Sequence, residues 1–290
     1  MNSFFFPILS KHYNPNIIHQ TYYDILKYKR IRAKKIITIH DMIHELFPDE
    51  FLKKDNTSKL KKIAVANADH IICVSKNTQN DLIKLFNVDI KKTTVIHHGF
   101  SLRTQEIKNP EKTHKPFLLY IGSRKGYKNF KRFIEAYAAN KIKNFFDLVI
   151  FGGGKINKDE IAIFDRLEIP RHSIKQVDGD DALLGGYYKN ASLFIYPSLY
   201  EGFGIPPLEA MSYGCPVVCS NISSIPEVVG DGALLFDPYS VSSIKDNIIS
   251  VLYDDKIRSS LILKGLKHVK KFSWERCAKE TYKVYKEVLR

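Results

Sequence analysis

The sequence has few cysteines and no long hydrophobic run, and both absences exclude whole classes of protein. Its 290 residues include only four cysteines and a single tryptophan. Four scattered cysteines are too few for the disulfide framework of a small secreted domain, so we expect a reducing, cytoplasmic location. No apolar stretch approaches the roughly 20 residues of a membrane-spanning helix. The amino terminus has no cationic segment before its apolar patch, so we expect no secretory signal.

Acidic residues are scarce relative to basic ones. The chain carries 45 Lys and Arg against 31 Asp and Glu, a formal net charge of +14. Such an excess favours anionic partners, namely nucleic acid, an anionic membrane face or phosphorylated small molecules. Nucleic-acid binding would rest on charge alone, because the aromatic residues form no stacking motif, and we do not expect it. The densest basic cluster is Lys27, Lys29, Arg30, Arg32, Lys34 and Lys35, either a solvated face or a membrane- or phosphate-facing patch.

The hydrophobic pattern is typical of alternating strands and helices. Short β-branched runs alternate with longer amphipathic stretches, which predicts βαβ units around parallel sheets. The predicted strands are residues 16–19, 36–40, 71–74, 94–97, 117–121, 148–151, 174–177, 193–196, 216–219 and 234–236. Helices are predicted at residues 58–68, 78–86, 129–139 and 181–191, the last with Asp181 as its N-cap. The fold class is therefore α/β, with two Rossmann-like, doubly wound parallel-sheet domains.

The two predicted domains are unequal. Residues 1–100 form a partial amino-terminal domain, because four strands are fewer than a doubly wound sheet needs and no glycine-rich turn follows an opening strand. Residues 101–272 have six strands and form a complete domain. Residues 273–290 form a final helix with Ser273 as its N-cap, which we expect to pack back on the first domain. A half sheet would expose an edge strand, so we expect poor solubility or oligomerisation.

The most informative segment is residues 196–220, YPSLYEGFGIPPLEAMSYGCPVVCS. A strand ends, a tight glycine loop follows, and two prolines open a helix that Gly214 closes. The amino terminus of such a helix suits an anion, and glycines let the anion approach the backbone. Glu201 and Glu209 would repel phosphate, so we expect them to accept hydrogen bonds from sugar hydroxyls. Alternatively, Glu209 favours the helix dipole and Glu201 caps a loop.

A second segment, residues 120–130 with the sequence YIGSRKGYKNF, has the same order of strand, glycine-rich turn and helix. Arg124 and Lys128 follow the carboxyl end of the strand, the place where open parallel sheets bind ligands. Two cations there could neutralise a diphosphate. They could equally be solvated loop cations.

The Glu-x7-Glu segment, with its GFGIPPLEAM core, resembles the signature of retaining glycosyltransferases of family four, which have the GT-B fold. Further motifs of that family occur here in the same order, at residues 38–48, 68–75, 95–99 and 272–278. The resemblance implies a domain that binds a nucleotide sugar. The catalytic positions that it implies are Glu201, Arg124, Lys128 and His40. The donor-binding positions that it implies are Glu209, Gly202, Phe203, Gly204, Ile205, Gly122 and Ser123.

The resemblance also implies a reaction. A hexose, most readily mannose from GDP-mannose, would pass to a surface-glycan or lipid-linked acceptor with retention of configuration. No cofactor and no metal are expected, although Asp178-Gly-Asp180 fits the pattern of metal-dependent sugar transferases. The enzyme would act in the cytoplasm or at the inner face of the membrane. Family members begin with further elements before residue 16, so we expect this chain to lack part of its first domain. Two alternatives stay open, a sugar-nucleotide epimerase and a nucleotide-sugar-binding protein without turnover.

Overall fold

The computed structural model describes residues 12–23, 32–100 and 107–290. The chain divides into two compact units. The first unit contains residues 1–99 and 272–290, and the second unit contains residues 100–271. No helix in the described ranges has both the length and the apolar character needed to cross a bilayer.

The described secondary structure alternates between strands and helices. The strands are β1 (Ile17–Gln20), β2 (Lys34–Ile39), β3 (His70–Cys73), β4 (Thr93–Val95), β5 (Phe117–Ile121), β6 (Asp147–Phe151), β7 (Ile174–Val177), β8 (Leu193–Tyr196), β9 (Val217–Ser220) and β10 (Leu234–Phe236). The helices are α1 (Ile43–Leu46), α2 (Thr57–Ala66), α3 (Lys76–Phe86), α4 (Phe130–Tyr137), α5 (Asn140–Lys143), α6 (Lys158–Arg166), α7 (Asp181–Asn190), α8 (Ile205–Ser212), α9 (Ile225–Val229), α10 (Val241–Tyr253), α11 (Asp255–His268) and α12 (Trp274–Val288). Short 3-10 turns cover Pro48–Glu50, Ile90–Lys92, Gly126–Lys128, Arg171–Ser173, Gly230–Gly232 and Val269–Lys271.

The first unit has a four-stranded parallel sheet in the order β1-β2-β3-β4. Its inward side chains include Ile36 and Ile72, which cluster with Val284 of α12. Helix α12 begins where the Ser273 hydroxyl accepts the Arg276 N–H at 3.1 Å, as the N-cap pattern predicts. A Cβ on Gly99 would lie 2.2 Å from the backbone nitrogen of Trp274, so only glycine fits beside the start of this helix.

The second unit has a six-stranded parallel sheet in the order β10-β9-β8-β5-β6-β7. The chain runs outward from β5 to one edge, then returns to β8 and runs to the other edge. The paired residues of β5 and β8 are Leu118 with Leu193 and Leu119 with Phe194. The sheet thus has a switch point between these two strands, and ligands of such sheets bind in the crevice beyond the carboxyl ends there.

The predicted fold class is confirmed. Every predicted strand is present in the described residues, with ends that move by at most two positions. The predicted N-cap of α7 was wrong by one residue. The side chain of Asp180, with extended backbone angles, accepts the Leu183 N–H at 3.0 Å. Asp181 is already helical, so it cannot be the cap.

Candidate functional site

Two loops meet at the switch point of the second unit. One follows β5 and spans residues 122–129, and the other follows β8 and spans residues 197–204. The Leu199 N–H donates to the carbonyl of Tyr127 at 2.7 Å. The buried side-chain amide of Asn129 donates to the carbonyl of Pro197 at 3.1 Å. The structure therefore brings together the two segments that the sequence singled out separately.

Lys128 and Glu201 face each other across these loops. The Lys128 ammonium donates to Oε1 of Glu201 at 2.6 Å, and the side chains are 18% and 10% exposed. The ammonium also lies 5.3 Å from the ring centre of Tyr127 and 5.7 Å from that of Tyr196. Such positions over aromatic faces stabilise a cation. Both side chains are mostly removed from water, but a ligand can still contact them. A charge in such a place binds an ionic ligand strongly, because the effective dielectric constant is low.

Tyr196, the last residue of β8, is a second partner of Glu201. Burial raises the pKa of its phenol well above the usual value, and the charge of Glu201 and a hydrogen bond to that carboxylate raise the pKa further. The phenol therefore stays protonated and donates to Glu201. The sequence did not single out this tyrosine, because a buried strand-end aromatic is indistinguishable from core by pattern alone.

Two serines of the loop after β9 hold the backbone of the Glu201 loop. The Ser223 hydroxyl accepts the Glu201 N–H at 3.1 Å and donates to the Glu201 carbonyl at 2.7 Å. The hydroxyl of buried Ser224 lies 2.8 Å from the same carbonyl and 2.9 Å from that of Phe203. These contacts fix the direction of the Glu201 side chain. They join residues more than 20 positions apart, which sequence periodicity does not reveal.

Helix α8 starts in this loop with an unusual set of donors. Its N-cap is Gly204, at φ +102°, and its first residue is Ile205. Pro206 and Pro207 follow and have no N–H groups, so two donors of an ordinary helix amino terminus are absent. Any anion held here would use the N–H groups of Gly204 and Ile205. The neighbouring loop positions Gly202 and Phe203 are buried.

Glu209 lies one turn further along α8 and is half-buried. The Tyr188 hydroxyl is 3.1 Å from its Oε2 and 3.3 Å from the carbonyl of Pro206. The ring of Tyr188 stacks on that of Tyr213, with centres 5.9 Å apart. Glu209 lines a small cleft with both tyrosines. This arrangement suits a carboxylate that accepts hydrogen bonds at the edge of an aromatic surface.

Arg124 is held within the second unit rather than exposed. Its side chain is 4% exposed, and its guanidinium forms a two-point ion pair with Glu160 through Nε at 2.6 Å and Nη2 at 3.1 Å. The preceding positions, Gly122 and Ser123, form the turn after β5. Gly122 has φ +97°, and the Ser123 carbonyl accepts the Tyr120 hydroxyl at 2.6 Å.

The loop after β6 completes the surroundings of Arg124. Gly152, Gly153 and Gly154 all have φ near +75° (74°, 75° and 77°). A Cβ on Gly153 would lie 2.3 Å from the carbonyl oxygen of Gly122, so the two loops approach each other at a position that needs glycine. The guanidinium donates to the carbonyls of Gly152 at 3.3 Å, Gly154 at 3.1 Å and Lys155 at 2.9 Å.

His40 lies in the first unit, at the carboxyl end of β2. Its Nε2 is 2.8 Å from the Thr21 carbonyl, so Nε2 carries the proton, and its Nδ1 accepts from Nε2 of His98 at 3.3 Å. The two rings stack with centres 5.3 Å apart. Burial, with His40 and His97 nearby, lowers the pKa of His98 to about 4. Both ring nitrogens of His40 are thus engaged within the first unit.

The remaining candidates have other contacts. Asp180 pairs with Lys108, which lowers the pKa of that carboxyl. Among the residues that the structure describes, no group of three or more His, Cys, Asp or Glu side chains could hold a metal ion. Of the predicted basic cluster, Lys27, Lys29 and Arg30 lie outside the described residues, whereas Arg32 and Lys34 are exposed.

Comparison with known families identifies the chain. Residues 103–268 match the model described as "Glycosyl transferases group 1", and residues 3–104 match "Glycosyltransferase Family 4". The first match covers more than half of the chain, so this protein belongs to the group 1 glycosyltransferases and is a glycosyltransferase of the GT-B, family 4 type.

Two curated relatives are similar over most of this chain. O-antigen chain mannosyltransferase B of Escherichia coli is 31% identical over 272 residues, which cover 87% of this chain and 70% of the relative. O-antigen chain mannosyltransferase RfbU of Salmonella typhimurium is 28% identical over 235 residues, 80% of this chain and 63% of the relative.

Solved structures share the fold. Sucrose-phosphate synthase of Thermosynechococcus elongatus superposes with a TM-score of 0.75 at 20% identity, covering 98% of this chain and 76% of that one. Anabaena HepE in complex with UDP-glucose gives a TM-score of 0.71 at 18% identity, covering 90% and 74%. At these identities the likeness concerns the two-domain GT-B architecture.

Proposed function

We propose that this chain transfers a hexose, with mannose favoured, from a nucleoside-diphosphate sugar to a surface-glycan or lipid-linked acceptor. One observation carries the proposal most directly. The Lys128–Glu201 pair, at 2.6 Å, lies at the switch point of a parallel sheet beside the amino terminus of α8. A cation that stabilises a leaving phosphate and a carboxylate that accepts sugar hydroxyls are the two groups that glycosyl transfer from a diphosphate needs.

The proposed roles follow from the positions of the groups. Lys128 and Arg124 stabilise the diphosphate as it departs, helped by the N–H groups of Gly204 and Ile205. Glu201 holds hydroxyls of the donor sugar, and Glu209 holds the ribose. Donor binding then requires Lys128 to exchange a carboxylate partner for a phosphate. That exchange is feasible because both members of the pair keep some exposure.

The proposed reaction retains the configuration of the anomeric carbon. The bond between that carbon and the diphosphate oxygen breaks, and the electron pair stays on the diphosphate. The acceptor hydroxyl oxygen bonds to the same face of the anomeric carbon, and its proton passes to a diphosphate oxygen. No metal ion takes part in this proposal, because the cations and backbone N–H groups balance the developing negative charge.

Mannose is favoured as the sugar because both curated relatives above are described as O-antigen chain mannosyltransferases. GDP is the nucleotide that we propose with it. A structural neighbour was solved with UDP-glucose, so uridine nucleotides are the natural competitors in a test. The formal net charge of +14 supports work beside anionic lipid-linked acceptors at a membrane surface.

The test is product analysis with GDP-mannose and UDP-glucose, each incubated with and without lipid-linked glycan acceptors. We expect sugar transfer from GDP-mannose, NMR signals of the retained anomer, and unchanged rates in a chelator. Conversion of the donor sugar without an acceptor would instead indicate an epimerase. Donor binding without any turnover would indicate a binding protein. Preferential use of UDP-glucose would contradict the proposed donor.

A further inference from the structure

Glu160 is a partly buried carboxylate that neither the motifs nor the proposed reaction uses. Its side chain is 12% exposed and lies in the first turn of α6. One function of Glu160 is to stabilise the start of its own helix. Its Oε2 accepts the Asn157 N–H at 2.8 Å, while the Asn157 side chain accepts the Glu160 N–H at 2.9 Å. This capping box satisfies two backbone donors at the helix start.

The same carboxylate also fixes the orientation of Arg124. A guanidinium has five N–H donors in a planar fork. Nε and Nη2 donate to the carboxylate of Glu160. Nη2 also lies within hydrogen-bond distance of the carbonyls of Gly154 and Lys155, and Nη1 donates to the carbonyl of Gly152. Among the described residues, these contacts use four of the five N–H groups and leave one hydrogen of Nη1. That hydrogen is the donor of Arg124 that a ligand could use.

We propose that Glu160 is a positioning residue for Arg124, which it holds with Nη1 directed to the diphosphate of the donor. The proposal rests on the proposed function, because it needs a diphosphate ligand at the switch point. A side-on pair through Nε and Nη2 fixes the plane of the fork, and a fixed donor loses less freedom when the ligand binds. The backbone N–H of Asn157 thus fixes the carboxylate, and the carboxylate fixes the arginine.

If Glu160 positions Arg124, its removal should weaken diphosphate binding, whereas its charge alone predicts that removal would tighten it. Glu160→Gln deletes a negative charge near the site, which by itself would tighten the binding of an anion. A loss of diphosphate affinity in this variant therefore reports orientation. Asn157→Ala is a matched control, because it breaks the other half of the capping box without removing any contact to Arg124.

The experiment compares calorimetric affinities for diphosphate and monophosphate forms of one nucleoside, GDP against GMP and UDP against UMP. We expect Glu160→Gln to weaken binding of the preferred diphosphate about 10-fold to 100-fold and that of its monophosphate much less. Asn157→Ala should leave the preference for diphosphate unchanged. In an Arg124→Gln background, Glu160→Gln should have no further effect on that preference, since one residue acts through the other.

Three outcomes decide the matter. Selective loss of diphosphate affinity, absent in the Arg124→Gln background, supports the proposal. Equal weakening by Glu160→Gln and Asn157→Ala, or tighter diphosphate binding by Glu160→Gln, overturns it. Failure of the folded parent to bind any of these nucleotides overturns the proposed function instead. The arginine Nε–H NMR signal, assigned by its loss in Arg124→Lys, then still shows whether the Glu160 contact holds Arg124.

Discussion

The two units place their buried ion pairs differently. In the first unit, the Lys61 side chain is fully buried and pairs with Glu45 at 2.7 Å. In the second unit, the Lys128–Glu201 pair is as short but keeps 18% and 10% exposure, and it lies at a switch point. The four strands of the first sheet follow one another without such a reversal. A cation without exposed surface cannot reach a ligand unless the protein opens locally, whereas a pair at an open crevice can exchange partners.

The largest expected effect is on the stability of the first unit. Lys61→Met should lower the free energy of unfolding by about 3–5 kcal/mol, because it leaves Glu45 as a buried, unpaired carboxylate. Lys61→Met combined with Glu45→Gln should recover most of the loss. Denaturation followed by the fluorescence of Trp274, the single tryptophan, reports on this unit. Lys62→Met on the exposed face of α2 is the control, and equal losses in both variants would contradict the comparison.

The corresponding change in the second unit should act on turnover more than on stability. We expect Lys128→Met to reduce kcat by about 100-fold to 1,000-fold, since it removes a charge aimed at the leaving group. Transfer rates at saturating donor measure this. Lys125→Met, in the same loop and exposed, should change kcat little. Full activity of Lys128→Met together with easier unfolding would contradict this. The Lys128–Glu201 pair would then stabilise the fold, as the Lys61–Glu45 pair does.

The histidine pair of the first unit predicts a dependence of stability on pH. The pKa of His98 is near 6.5 when unfolded and about 4 when folded, so the unfolded state binds more protons between these values. Stability is fully present above pH 6.5 and falls as the pH drops towards 4, by at most about 3 kcal/mol. His98→Gln should remove the part of the pH-dependent decrease in stability that His98 causes. Denaturation curves at several pH values check it, and an unchanged slope would mean that His98 is solvated.

The smallest expected effect concerns the start of α12. Ser273→Ala should cost about 1 kcal/mol in the first unit, because it removes the N-cap bond to Arg276. Ser240→Ala removes the matching cap of α10 in the second unit, where the Ser240 hydroxyl accepts the Ser243 N–H at 3.1 Å. Hydrogen exchange resolved by segment measures both. Each variant should increase exchange in its own unit, and a reversed pattern would contradict the division of the chain.

Local patterns predicted most of the fold. Buried parallel strands appear as β-branched runs, so all the strands described could be predicted from the sequence. The loop around Glu201 was also evident, because glycines, prolines and a helix stop mark it within a few residues. The cap of α7 was misplaced because Asp180 and Asp181 are adjacent and chemically identical, and only the backbone angles distinguish them.

Long-range partners were beyond the reach of the sequence. The contacts of Arg124 with Glu160, of Ser223 with Glu201 and of His40 with His98 join residues 36, 22 and 58 positions apart. No periodicity encodes such pairs. One signal was present, since Asn157 followed three residues later by Glu160 fits a capping box and marks Glu160 as an ordered carboxylate. The pattern could not have revealed that Arg124 shares it.

The central claim is that the crevice of the second unit binds a nucleoside-diphosphate sugar. Calorimetric titration with GDP, UDP, GDP-mannose and UDP-glucose tests it most directly, with Glu209→Ala beside the parent. We expect the guanosine ligands to bind selectively and Glu209→Ala to lose about 10-fold or more in affinity, since it removes a charged hydrogen-bond acceptor for the ribose. No binding of any of the four ligands to folded protein, or equal binding by Glu209→Ala, would contradict the account.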